Sequence, residues 1–206
     1  MNPSFSRLAL TLCAAFLLWF ITFAIPVGNF WLKLSTSAFI LALFGFKPVL
    51  EMKDRLFGVT ARSVVVGILS AVLLYFIFWA GREVSVALFP FASREIGNVY
   101  VTKTELNPVA IGLLLFFIMG PAEEIYWRGF VQESLTSRFG TTRSLLMTSA
   151  IYALVHVFAF NFMLLVAAAV CGLFWGLLYL RERNLVTVMV SHSLWDVMTF
   201  VLFPFN

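Results

Sequence analysis

Apolar residues in this chain come in long unbroken blocks, separated by short polar breaks, and not at a helical or strand period. Residues 8–25 form an 18-residue apolar run, closed by Pro26-Val27-Gly28-Asn29. Shorter or comparable runs cover residues 34–46, 63–80, 144–160, 162–180 and 185–203. Residues 108–137 form a 30-residue stretch without a long polar break. A bilayer core about 30 Å thick needs about 20 apolar residues in a helix, so each block predicts a membrane crossing. The pattern predicts an all-α polytopic membrane protein with about seven transmembrane helices, six to eight depending on whether 34–46 crosses.

The breaks carry their own expectations. Phe30-Trp31-Leu32-Lys33 reads as an interface anchor ahead of the second run. Residues 47–62 are a charged loop, and 82–107 the longest connection, its stretch 84–91 either extending the third helix or lying in the interface. A single helix over 108–137 would be ~45 Å long, and Gly120-Pro121 is the place for a kink or a restart. Asn161 and Arg181-Glu182-Arg183-Asn184 mark tight turns. The first run is too long for a signal-peptide core, normally ~7–15 residues, and lacks a small-residue cleavage site, so it is read as a span. No internal repeat or linker divides the chain, so 1–206 is expected to be a single integral-membrane domain.

Composition sharpens this picture. The chain is 62% hydrophobic and 12% charged, with a mean hydropathy of +0.98. Soluble domains carry about 25% charged residues, so a globular protein with one anchor is excluded. The net charge is +4, and its basic residues lie mostly between the runs. They serve as topology signals, and no nucleic-acid partner is implied. Alternate loops, counted from the N-terminus, collect Arg7, Lys47, Lys53, Arg55, Arg62, Arg138, Arg143, Arg181 and Arg183 on one side. The other side holds Lys33, Arg82, Arg94 and Lys103, which predicts a cytoplasmic N-terminus. Cys13 and Cys171 each sit in an apolar run without a CxxC pair and read as two buried structural thiols.

Candidate chemistry sits where charge is costly. Glu123, Glu124 and Arg128 fall within six residues of an apolar block, and a mid-membrane charge costs about 2.5–3.5 kcal/mol on insertion scales. In a helix Glu124 and Arg128 pair at i, i+4, while Glu123 points about 100° away around the axis. A carboxylate without a cation in a dry place is a candidate general base. The two histidines of the chain, His156 and His192, both lie in predicted spans, and Asp196 follows His192 by one helical turn. Counted at 1.5 Å per residue from the basic ends, Glu123 is ~22 Å deep, His156 ~18 Å and His192 ~12 Å, a spread that tilt can remove. The bland reading makes them packing devices. Four such groups on three helices favour a site in the membrane interior, among the C-terminal four helices, opening laterally or toward the cytoplasm. Glu133, near a helix end, is expected to snorkel, and Ser191 to serve packing. HExxH, GxGD and GxSxG are all missing, which removes the zinc-protease, aspartyl and serine-hydrolase patterns.

Three patterns now stand in order. Glu123-Glu124-x-x-x-Arg128 resembles the EExxxR motif of the CPBP family, the CAAX-protease and bacteriocin-processing group, also called Abi or type II CAAX prenyl endopeptidase-like proteins. Tyr152-Ala153-Leu154-Val155-His156 resembles its FxxxH, with tyrosine for phenylalanine, and His192-Ser193-Leu194-Trp195-Asp196 its HxxxN, with aspartate for asparagine. The resemblance covers about 105–203. It implies an intramembrane endopeptidase of glutamate type, in which Glu123 and His156 activate water while His192 and Asp196 face the carbonyl oxygen. It leaves Glu124–Arg128 as a structural ion pair at the site. Metal dependence stays open: the same glutamate, histidines and aspartate would serve a divalent ion such as zinc. The implied partners are the lipid bilayer and a membrane-anchored protein or peptide substrate, prenylated or not. The compact chain suggests a prokaryotic cell (inner) membrane, with oligomeric state open. The competing readings are a non-catalytic scaffold or immunity protein and a small-solute carrier.

Overall fold

The computed structural model describes residues 5–205. Seven helices among them are long and apolar enough to cross a membrane. They are α1 (Phe5–Ala24), α2 (Phe30–Leu50), α4 (Ala61–Leu88), α6 (Pro108–Phe139), α7 (Thr141–Ala159), α8 (Phe162–Glu182) and α9 (Leu185–Leu202). Two short helices, α3 (Lys53–Leu56) and α5 (Ala92–Val99), lie in the connections, and no strand is present among the described residues. The protein is an all-α, multi-pass membrane protein, as the apolar runs predict.

Helix starts are written in the polar breaks. Asn29, Asn107, Asn161 and Asn184 each cap the following helix, their side chains accepting a backbone N–H one turn in. Thr60 and Ser63 form a reciprocal capping box at α4. Two carboxylates of the long connection do the same across space. Glu105 accepts from Phe30 N–H at 2.6 Å, and Glu95 from Met163 N–H at 3.0 Å. Those charges therefore meet the positive N-terminal ends of α2 and α8.

The two ends of the bundle differ in chemistry. At one end Arg62 pairs with Glu182, Arg55 and Arg183 with Glu133, and Asn184 donates to Gly58 C=O at 2.7 Å. At the other, Asn29 donates to Glu105 C=O and Asn161 to Glu95 C=O. Alternate loops thus meet at the same end, as seven crossings require.

Several expectations change in detail. The second run is not short: α2 begins at Phe30, so the anchor residues form its first turn, and Trp31 is buried with its indole N–H on Thr102 C=O at 2.8 Å. The third crossing, α4, extends to Leu88, so 84–88 continue the helix while 89–91 turn away from it. Residues 108–139 neither restart nor break at Pro121. Instead the helix widens to π-type turns at Leu115–Met119 and Ile125–Gln132, either side of the missing Pro121 N–H. Glu133 does not snorkel free; it accepts from Tyr179 O–H at 3.0 Å and from both arginines. Of the two thiols, Cys171 is buried but Cys13 is exposed. Lipid and protein interior are equally apolar, so a hydrophobic run does not say which of its faces is covered.

Packing brings α6 to the centre. Gly120 lets it approach α9 so closely that a Cβ there would lie 3.0 Å from the Ser193 backbone and collide with its hydroxyl. Gly67 does the same for α4 against α9, where a Cβ would meet Val190 at 2.8 Å.

Candidate active site

The two glutamates of α6 point to different partners, as one-residue spacing on a helix demands. Glu124 Oε1 accepts from Arg128 Nη1 at 2.9 Å, with both side chains fully buried. The guanidinium also faces the Cys171 and Gly172 carbonyls and lies over the Tyr152 and Trp175 rings. The same Glu124 oxygen accepts from His192 Nδ1 at 2.6 Å. That ring stacks on Trp175, centroids 3.6 Å apart, and its other nitrogen stands 3.5 Å from Asp196 Oδ2. Asp196 is therefore His192's neighbour, while Glu124 holds the ring by the short bond. Helical spacing alone pointed to Asp196, because the Glu124 contact joins residues 68 apart in the chain.

Glu123 is 1% exposed, and its Oε2 accepts from Tyr152 O–H at 2.8 Å. Its Oε1 has no hydrogen-bond partner. His156 follows Tyr152 by one turn, just where α7 tightens into a 3₁₀ turn over His156–Ala159. Its Nδ1 meets Tyr152 C=O at 2.8 Å. A carbonyl only accepts, so Nδ1 carries the proton. Nε2 is then the acceptor, and Trp19 of α1 donates to it at 3.3 Å. The imidazole is held as one neutral tautomer.

His156, His192 and Asp196 line one cavity of about 100 Å³, together with Tyr152, Trp175 and aromatic side chains of α1 and α2, Phe23, Phe30 and Trp31. Its lining includes Phe30, Trp31 and Leu164, in the first turns of α2 and α8, at the bundle end that carries Asn29 and Asn161. The turns at Asn29 and Asn161 are short, and the long connection that carries α5 meets both, through the Glu105 and Glu95 carbonyls.

Among the described residues, no three His, Cys, Asp or Glu side chains converge on a point where one metal ion could sit. His156 spends both nitrogens on Trp19 and Tyr152, and His192 spends Nδ1 on Glu124.

The structure joins Glu123 to Tyr152, which His156 follows by one turn, and Glu124 to Arg128 and His192, with Asp196 at the other ring nitrogen of His192. Trp19, Trp175 and the Tyr152 hydroxyl were missed as site neighbours. Both tryptophans sit in plain apolar runs, which hold no signal; Tyr152 was visible only as a motif departure. Ser191 accepts the Trp175 indole N–H at 3.2 Å, a packing role as expected.

Fold and site together describe a polytopic membrane protein with a buried carboxylate–imidazole centre. Residues 105–198, which contain all three motifs, match the family model described as type II CAAX prenyl endopeptidase Rce1-like. The region is thus similar to a family of proteases, in line with the CPBP resemblance. No curated protein and no solved structure matches the chain.

Proposed function

We propose that the protein is an intramembrane endopeptidase that cleaves membrane-anchored or C-terminal peptide substrates with water activated by Glu123 and His156. The observation that carries the reading is the pairing of a buried glutamate, one oxygen unpartnered, with a histidine held in a single tautomer one turn from the tyrosine that binds that glutamate. Glu123 Oε1 takes a proton from water, and His156 shares in this as Nε2 exchanges the Trp19 indole for the water. The resulting hydroxide adds to the scissile carbonyl carbon. The oxyanion faces His192, whose ring Glu124 and Asp196 flank. The C–N bond then breaks as the proton passes to the leaving amine. Arg128 holds Glu124 in position, which in turn holds His192 in place.

The apolar lining of the cavity favours a substrate with an apolar segment next to the scissile bond. The deciding experiment is cleavage of single-span peptides in liposomes by purified protein. Loss of cleavage in Glu123→Ala supports the reading. Undiminished cleavage in that variant refutes it, and no cleavage by the wild type across a broad peptide set favours the scaffold or immunity reading. Transport of a solute by the same liposomes would favour a carrier.

A further inference from the structure

The chemistry above gives the hydroxyl of Tyr152 no step of its own. The FxxxH pattern that 152–156 resembles has phenylalanine here, so the hydroxyl is this chain's departure from it. The oxygen donates to Glu123 Oε2 at 2.8 Å. The ring that carries it is clamped on three sides. Trp127 meets it edge-on at 5.3 Å, His156 lies 5.2 Å away, and the Arg128 guanidinium sits 5.0 Å over its face. Tyr152 is buried, so the clamp leaves its O–H a fixed donor. Its carbonyl, meanwhile, accepts from His156 Nδ1 at 2.8 Å. One residue thus orients Glu123 through its side chain and His156 through its backbone.

A carboxylate's terminal torsion is broad and nearly two-fold, so a free Glu123 would present either oxygen at many angles. We infer that Tyr152 is a positioning residue for Glu123: its hydroxyl ties down Oε2 and thereby presents the unpartnered Oε1 to water. The inference rests on the base role of Glu123 proposed above. Tyr152→Phe isolates it, because that change removes one oxygen and leaves the ring and the Tyr152 carbonyl in place.

The test has two arms. Infrared spectra of ¹³C-glutamate-labelled protein in liposomes contain a carboxyl band that Glu123→Gln removes. In Tyr152→Phe that band shifts, whereas an unmoved band overturns the inference without any need for a substrate. In the peptide-cleavage assay Tyr152→Phe lowers kcat about tenfold, the low end for a lost hydrogen bond to a charged group, with KM and melting temperature unchanged. Glu123→Asp withdraws the carboxylate by one methylene, out of reach of the hydroxyl. In that background Tyr152→Phe costs under about twofold, because the two changes share one interaction. Equal losses in both backgrounds, or a wild-type kcat in Tyr152→Phe, overturn the positioning role. If Glu123→Gln cleaves as well as wild type, the base role itself fails and the inference falls with it.

Discussion

Adjacent glutamates in one helix do opposite work because their surroundings differ. Glu124 accepts from two buried donors, Arg128 and His192, through the same oxygen. Glu124→Gln leaves Arg128 as a buried cation without its anion, and breaking such a pair typically costs ~3–5 kcal/mol. Glu123→Gln loses no cation and keeps its volume, so it is expected to abolish cleavage while folding normally. Thermal melts in detergent check this: the Glu124 variant melts well below the Glu123 variant. Equal melting with activity kept in Glu123→Gln would reverse the assignment. Asp196 makes no short bond in the resting arrangement: its Oδ2 stands 3.5 Å from His192 Nε2 without a hydrogen bond. An amide there can donate to an oxyanion, which is worth about 10²–10³ in rate where well placed. Asp196→Asn is therefore expected to keep part of the activity and Asp196→Ala to lose most of it, with chelators having little effect on either. Loss with both variants, together with zinc-restored activity after chelation, would put a metal at the centre instead.

Among the helices, α6 sets the site because it is neither straight nor interrupted. Proline removes one backbone donor, and π-type turns absorb the resulting mismatch without ending the helix. The widened segment Ile125–Gln132 carries Arg128 inward, next to the α8 carbonyls at Cys171 and Gly172. Gly120 then brings α6 against α9, which lets Glu124 reach His192. A bulky residue at 120 must drive the two helices apart. Gly120→Val is expected to destabilise by roughly 1–3 kcal/mol, typical of overpacking, and to lower kcat more than KM. Wild-type melting and activity in Gly120→Val would show that this approach does not govern the site.

For the molecule as a whole, charge sorts the ends. Arg55, Arg62 and Arg183 meet acidic partners at one end, while Glu95 and Glu105 cap helix starts at the other. We propose, on the positive-inside bias, that the arginine-rich end lies in the cytoplasm. Single cysteines test this in a background lacking Cys13 and Cys171. A cysteine at the exposed Val101 is expected to react with an impermeant maleimide on intact cells, and one at the exposed Thr141 only after permeabilisation. The reverse pattern would invert the topology.

The sequence by itself determined the seven crossings, the capped turns between them, and the positions of the charged and imidazole groups inside the membrane. Those features are local: insertion free energy adds up along each segment, and an asparagine cap acts on its own next turn. Glu124 with Arg128 belongs to the same class, because four residues is one helical turn. What only the tertiary structure decided is which groups from different helices meet. His192 turns to Glu124 as well as to Asp196, Glu123 takes its bond from Tyr152, and Trp19 of α1 reaches His156. In a medium as greasy as the protein itself, hydrophobicity does not choose the buried face of a helix. Close glycine contacts and buried polar pairing choose it, and both depend on two segments far apart in the chain.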